Sequence, residues 1–171
     1  MDPEPQRFRR LSSFVNYYIG WVFAISVSAS SSSQPIDELE LLDRGTQIGV
    51  AARKENVKPA QLENLIASLD TVSGREALLA TAGFALRQAG RREKRGEEGL
   101  IGRRTADLVS QALYNLYVKG AGKDHARKML GFAKWIYEAN IPYRDRAEQL
   151  TLLQLLKWYL QQRQQRQQRT G

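Results

Sequence analysis

The chain contains no cysteine and a single histidine, His125, among its 171 residues. Without cysteine, neither a disulfide framework nor a thiolate metal site can form, and one histidine leaves carboxylates as the only further metal ligands. A single histidine near a helix start is usually a polar surface residue, and His125 lacks the set of partner groups that acid–base or nucleophilic catalysis requires. The sequence therefore predicts no metal site, no cofactor and no catalytic role for His125.

Catalytic motifs are missing as well. The chain has no GxxxxGK[ST] phosphate-binding loop, no pair of carboxylates in a pattern typical of a cleft, and no supported Ser/His/Asp set. We therefore expect no catalytic residue and a protein that is not an enzyme.

No run of alternating apolar and polar residues is long enough for a sheet, and apolar residues recur instead at helical spacing. This pattern predicts an all-α fold, a compact bundle of about five helices with an extra C-terminal helix and a hydrophobic N-terminal extension. The corresponding domain boundaries are residues 1–36 for the apolar and Ser-rich extension, 37–140 for the bundle, and 141–171 for the C-terminal helix with its Gln/Arg-rich tail.

Local signals predict where several helices begin. Pro59 suits the first position of the second helix, Ser73 and Glu76 form a capping box before the third, and Asp124 is a suitable N-cap for the fifth. The fourth helix is expected from about Arg103 and the last from about Arg144. The residues expected to face the core are Leu39, Leu42, Ile48 and Ala52; Leu62, Leu65, Ile66 and Leu69; Leu78, Ala82, Ala85, Leu86 and Ala89; Leu108, Val109, Ala112, Leu113, Leu116 and Tyr117; Met129, Leu130, Ala133, Ile136 and Tyr137; and Leu150, Leu153, Leu156 and Leu160.

Two further features of these helices carry expectations. Gly45 and Gly49 are expected to weaken the first helix, and Trp135 is expected to lie in the core and not to serve as a base-stacking platform. Leu152, Leu155 and Trp158 widen the apolar surface of the last helix almost all round, so that helix is expected to be buried or shared with another chain.

An Arg-bearing start, an apolar run from Phe14 to Val27 and a Ser-rich end give the N-terminal segment some features of a signal peptide. Asn16 and Gly20 interrupt the run, which is shorter than the ~20 residues that a spanning helix needs. We therefore expect no transmembrane helix. A signal peptide and a hydrophobic segment that docks on a partner both remain open.

The net charge of +8 is concentrated in the second half of the chain, because residues 87–171 carry a net charge of +10 while residues 37–86 carry −3. Such asymmetry indicates contact with phosphate or an anionic surface. The densest basic stretch, residues 87–104, has seven basic and three acidic residues. A solvated helix end is the alternative interpretation. The candidate phosphate-binding residues here are Arg87, Arg91, Arg92, Lys94, Arg95, Arg103 and Arg104.

Four stretches in order, PAQLENLI, GREALLATAGFALRQAGRR, GLIGRRTADLVSQAL and ARKMLGFAKWIYEA, give residues 37–140 a resemblance to a known family. The helix order, the apolar residues followed by Gln and Arg, and the acidic end of the last helix resemble the small all-helical subunit of type III CRISPR–Cas effector complexes, nearest the type III-A subunit. The resemblance implies a cytoplasmic helical bundle that binds RNA without catalysis. Several copies would stack in a row along the duplex of guide RNA and target RNA, beside the other subunits of the effector complex.

The resemblance also implies particular contacts. Arg87, Arg91 and Arg92 match the basic end of the family's central helix, and Lys128 and Lys134 match the basic side of its closing helix. The Gln expected at the start of the second helix is present as Gln61. The basic residue expected after it is replaced by Glu63, which departs from the family pattern.

Charge separation along the chain gives a prediction about assembly. Residues 37–86 sum to −3 and residues 87–140 to +6, so opposite faces of the bundle are expected to differ in sign. Identical subunits with complementary faces associate head-to-tail in a row. The alternatives are a monomer in which the charges mix in space and, as another class of function, a membrane-associated or exported helical protein. We expect no membrane partner.

Overall fold

The computed structural model describes residues 36–143 and 145–170, and these residues form an all-α fold with no strand among them. The fold class expected from the sequence is confirmed, while the N-terminal apolar run lies outside the described residues. The helices are α1 (Glu38–Lys54), α2 (Pro59–Ser68), α3 (Glu76–Arg95), α4 (Arg103–Val118), α5 (Lys123–Glu138) and α6 (Leu152–Thr170), with a short 3-10 helix at Ala147–Gln149.

Helices α1 and α5 pack closely because two glycines of α1 face the backbone of α5. A Cβ added to Gly45 would lie 2.7 Å from the main-chain oxygen of Met129, and one added to Gly49 would overlap the main-chain oxygen of Ala133. The expectation that these glycines merely weaken α1 is therefore incomplete. Glycine costs helix propensity here but permits the close approach of the two backbones.

The core lies between the α1–α5 pair and the α3–α4 pair, and α2 packs against both α3 and α5. Leu62 and Leu65 of α2 and Leu69, the residue that follows it, are fully buried, as their spacing predicts. The expected inward faces of α4 and α5 are also confirmed, from Leu108 to Leu116 in the first and from Met129 to Tyr137 in the second. Helical periodicity therefore identified the larger part of the core.

The predicted capping box at the start of α3 is wrong. Gly74 adopts a positive φ of 72°, which is incompatible with a right-handed α-helix at this residue. Helix α3 therefore begins later, at Glu76, with Arg75 as its N-cap residue. The Arg75 guanidinium donates a 2.6 Å hydrogen bond to the main-chain oxygen of Tyr117 and lies over the Tyr117 ring. The end of α4 thus holds the start of α3.

The start of the last helix was also predicted wrongly. Helix α6 begins at Leu152, and Thr151 and Gln154 form a reciprocal capping box, with hydrogen bonds of 3.0 Å from the Thr151 N–H to Gln154 Oε1 and 3.2 Å from the Gln154 N–H to Thr151 Oγ1. Asp124 lies in the first turn of α5, whose N-cap residue is Gly122.

The segment before α6 is attached to α1. Gln47 Nε2 donates a 3.0 Å hydrogen bond to the main-chain oxygen of Leu150, and the Leu152 N–H donates a 2.8 Å hydrogen bond to Asp43 Oδ1. Leu150 and Leu155 are fully buried. These contacts join the first turn of α6 to the core of the bundle.

Several apolar residues that were expected in the core are exposed. Trp135 is 69% exposed and contacts only the edge of the Phe132 ring among the aromatic side chains, and Leu39 is 56% exposed. The expected buried stripe of α6 is also wrong: Leu153 is 74% exposed, and Leu156 and Leu160 face solvent with it. Leu86 of α3 is likewise exposed. Within the described residues, no helix is long and apolar enough to cross a membrane.

Candidate nucleic-acid interface

The basic segment 87–104 is folded around Glu55, the residue that follows α1. The Glu55 carboxylate accepts hydrogen bonds from the N–H groups of Arg104 (3.1 Å) and Thr105 (3.0 Å) and from Thr105 Oγ1 (2.5 Å). It therefore satisfies N–H groups that the first turn of α4 leaves unpaired, and its charge suits the positive end of the helix dipole. Gly102 is needed beside it, because a Cβ there would overlap this carboxylate.

Arg92 belongs to the same junction. Its Nη1 donates a 2.9 Å hydrogen bond to the main-chain oxygen of Leu100, and its Nη2 donates a 2.8 Å hydrogen bond to the main-chain oxygen of Glu55. The side chain is half-buried. Arg92 thus connects the end of α3 with the end of α1 and with the loop before α4.

Four other cations of this segment lie beside acidic groups. Arg91 pairs with Glu97 at 2.5 Å, and Arg95 lies 3.8 Å from the same carboxylate. Arg103 lies 3.3 Å from Asp107 and 3.9 Å from Glu93, and Arg104 pairs with Glu148. These pairs are partly exposed, so each contributes little to stability and remains open to exchange for a phosphate.

Two lysines of α5, Lys128 and Lys134, also have acidic partners. Lys128 pairs with Glu38 at 2.8 Å, and Lys134 pairs with Glu63 at 2.8 Å. The hydrogen bond that the Lys134 ammonium donates to Glu63 is the main reason that the pKa of Lys134 is raised. Glu63 stands where the resemblance implies a base, and in this fold it is the partner of Lys134.

These pairs connect the acidic first half of the bundle with its basic second half. Arg127 with Asp70 and Lys119 with Glu40 add two more such pairs. Acidic and basic residues that are far apart in the chain therefore meet in space. The premise that the two halves form opposite faces of unlike charge is wrong for these residues, because α1 and α2 pack directly against α5.

Arg87 and Lys94 differ from the other seven candidates. Both are exposed, and neither has an ion pair or side-chain hydrogen bond among the described residues. They lie seven positions apart on α3, which places them on one helix face about 10 Å apart. Arg91, between them, lies on the same side. The structure therefore brings three cations into one row, and two of them have no acidic partner.

A groove between α2 and α3 opens beside Arg87. Its volume is about 570 Å³, and its lining consists of small, amide and hydroxyl side chains with one aromatic ring. Sequence analysis did not identify the two amide residues in it, Asn64 and Gln88, because a single polar residue on an apolar helix carries no recognisable pattern.

Two further cations, Lys54 and Arg104, lie close together near the end of α1. The pKa of Lys54 is lowered, mainly by burial and secondly by repulsion from Arg104. The Lys54 ammonium donates a hydrogen bond to the main-chain oxygen of Asp145. The pKa of Tyr143 is raised, mainly by burial and secondly by the 2.8 Å hydrogen bond that its hydroxyl donates to the Asp145 carboxylate. Lys54 and Arg104 therefore lie close together near the N-terminus of α4, with Asp145 beside Lys54 and Glu148 beside Arg104.

Histidine and carboxylate side chains of the described residues form no group of three that would hold a metal ion. His125 lies half-buried in the first turn of α5, and its Nδ1 has no hydrogen-bond partner there. No protein-family model, curated protein or solved structure matches the chain.

Proposed function

We propose that the protein binds RNA through phosphate contacts, without catalysis, as the small subunit of a type III CRISPR–Cas effector complex. The observation that carries this proposal is the row of cations on α3, in which Arg87 and Lys94 have no acidic partner within the part of the chain that the structure describes. An unpaired exposed cation can bind a phosphate without first breaking an ion pair. The all-helical fold supports the proposal, because the resemblance implies a helical bundle.

The other candidate residues are expected to have smaller roles. Arg91, Arg95, Arg103, Arg104, Lys128 and Lys134 must each exchange an acidic group for a phosphate, and Arg92 holds two main-chain oxygens of its own fold. Because the contacts are to phosphates, binding should show little sequence preference and fall steeply with salt. Guide RNA and target RNA are the partners that the resemblance implies.

Self-association in a row is part of the same proposal, although it now depends on different surfaces from those that the charge split indicated. Helix α6 has exposed Leu153, Leu156 and Leu160 and contains no acidic residue. The start of α1 carries exposed Leu39 beside two exposed acids, Asp37 and Glu38. Both surfaces expose leucine side chains, and exchange of the Glu38–Lys128 ion pair would give the cations of α6 an acidic partner, so α6 of one copy is proposed to dock on α1 of the next. Such head-to-tail contacts produce a row.

The assignment is tested by purifying the tagged full-length protein from its source cells and identifying what accompanies it. We expect guide RNA and the other effector subunits, by RNA sequencing and mass spectrometry, together with an intact Met1 in the cytoplasmic fraction. A protein that carries no RNA and no effector subunit contradicts the assignment. Cleavage near residues 28–33 with recovery from membranes or the exterior would favour the membrane-associated or exported alternative.

A further inference from the structure

The groove between α2 and α3 combines open space, amide groups and a cation, Arg87, that has no acidic partner among the described residues. Its floor is made by small residues, and a Cβ added to Gly83 would contact nothing within 4 Å. Phe84 is half-buried and forms part of the wall. The lining residues are Asn64, Ala67, Ser68, Thr71, Ala80, Gly83, Phe84, Arg87 and Gln88.

The unpaired amide oxygen of Gln88 is the observation that indicates a ligand. Its side chain is only 7% exposed, yet Oε1 has no hydrogen-bond partner among the described residues. A buried amide without a partner is costly, and native proteins rarely retain one without a reason. Asn64, across the groove on α2, likewise makes no side-chain hydrogen bond with the described residues. The hydroxyls of Ser68 and Thr71, in contrast, are already used within α2 and by Thr81.

These groups match the parts of a nucleotide. Carboxamide side chains pair with the donors and acceptors on a base edge, an aromatic side chain packs against a base, and an arginine binds phosphate. A volume of about 570 Å³ lies within the range of small-ligand sites and suits a single nucleotide.

We propose that this groove holds one unpaired nucleotide of the bound RNA. The buried amide of Gln88 turns toward the groove and, with the amide of Asn64, hydrogen-bonds the base edge. Phe84 packs against the base, and Arg87 binds the adjoining phosphate. The inference rests on the proposed RNA binding and adds a strand preference to it, because a base inside a duplex has its pairing edge occupied and cannot enter the groove.

The test measures binding of the full chain to single-stranded and to double-stranded RNA of equal length by fluorescence anisotropy. Gln88→Leu keeps the approximate size of the side chain and removes the unpaired amide, so thermal unfolding should show the variant to be at least as stable as the parent. Its affinity for single-stranded RNA should fall about tenfold, the effect of one lost amide–base contact. Affinity for the duplex should not change.

Three variants make the interpretation specific. Gln111→Leu makes the same chemical change at an exposed position of α4 outside the groove, and it should change neither affinity. Asn64→Leu should repeat the effect of Gln88→Leu. Arg87→Gln should lower the affinity for both single-stranded and double-stranded RNA, because both contain phosphates.

The outcomes separate this inference from the proposed function. Unchanged single-strand binding in Gln88→Leu and Asn64→Leu overturns the nucleotide site, whatever Arg87→Gln does. If the parent protein binds neither RNA, the proposed function fails, and a titration with free adenosine and uridine monophosphates decides the site alone. Shifts of the Gln88 side-chain amide resonances would then support a free nucleotide as the occupant, and unchanged resonances would overturn the site.

Discussion

The Nη2 atom of Arg92 donates a 2.8 Å hydrogen bond to the main-chain oxygen of Glu55. The same guanidinium binds the main-chain oxygen of Leu100, and the Glu55 carboxylate binds the N-terminus of α4. Two residues that are 37 positions apart therefore hold the ends of three helices together. The basic segment after α3 is part of this junction, and only some of its cations are available to a ligand.

Arg92→Ala should reduce the free energy of unfolding by about 1–3 kcal/mol, because it leaves two main-chain oxygens without a charged donor. Arg87→Ala, which removes an exposed cation from the same helix, should change it by less than about 0.5 kcal/mol. Urea unfolding followed by circular dichroism measures both. Equal stability of the two variants would show that the Arg92 hydrogen bonds do not hold the junction.

Glu55 and Gly102 should be energetically coupled. Glu55→Ala removes the cap of α4 and should cost about 1–2 kcal/mol. Gly102→Ala should cost about 1 kcal/mol, because its Cβ displaces the same carboxylate. In a protein that already has Glu55→Ala, the glycine substitution should cost less than about 0.5 kcal/mol. Additive effects in this double-mutant cycle would contradict the assignment of Gly102.

The close approach of α1 and α5 predicts opposite effects of one substitution at two glycines. Gly49→Ala should destabilise the protein by about 1–3 kcal/mol, because the methyl group overlaps the main-chain oxygen of Ala133. Gly90→Ala, in α3, meets nothing within 4 Å and should stabilise the protein by about 0.4–1 kcal/mol. Thermal unfolding midpoints compare the two, and a stabilised Gly49→Ala would show that α5 moves easily to make room.

The core could be predicted from the sequence where local periodicity decides it. The spacing of Leu62, Leu65 and Leu69 specifies one helix face, and that face is buried. The same argument failed for Leu153. The spacing of apolar residues identifies a helix face, but it does not show whether another part of the molecule packs against that face. The capping box predicted at Ser73 does not form, because Gly74 takes a positive φ. The capping box at Thr151 was missed, because the helical spacing of the apolar residues led the predicted helix to begin in the loop before it.

The candidate site shows the same limit more sharply. Sequence identifies Arg87, Arg92 and Lys94 as neighbouring cations and cannot distinguish them. The difference arises from partners far away in the chain, such as Glu55 for Arg92, and becomes visible only when the helices are packed. Gln88 was missed for a related reason, since its missing hydrogen-bond partner is a property of the packed core.

The exposed stripe of α6 should control self-association. Replacing Leu153, Leu156 and Leu160 by Ser removes the apolar area proposed to dock on α1 of a second copy. Sedimentation velocity should show assemblies of the parent protein that grow with concentration and a monomer for the triple variant. Because these side chains are exposed, the unfolding midpoint should change little.

A parent protein that stays a sharp monomer at every concentration, with and without long RNA, would contradict self-association. Leu86→Ser in α3 serves as the control, since it removes an exposed leucine outside α6. It should leave the distribution of assemblies unchanged.

The most direct test of the proposed function is the salt dependence of RNA duplex binding by the full chain. Arg87→Gln with Lys94→Gln removes two cations of α3 that have no acidic partner among the described residues, and Lys128→Gln with Lys134→Gln removes two that are paired at 2.8 Å. The first pair of substitutions should reduce the slope of log affinity against log salt by about 1.8, at 0.9 for each lost phosphate contact. The second pair should leave the slope near that of the parent. Equal slopes for the parent and the Arg87/Lys94 variant would contradict the account.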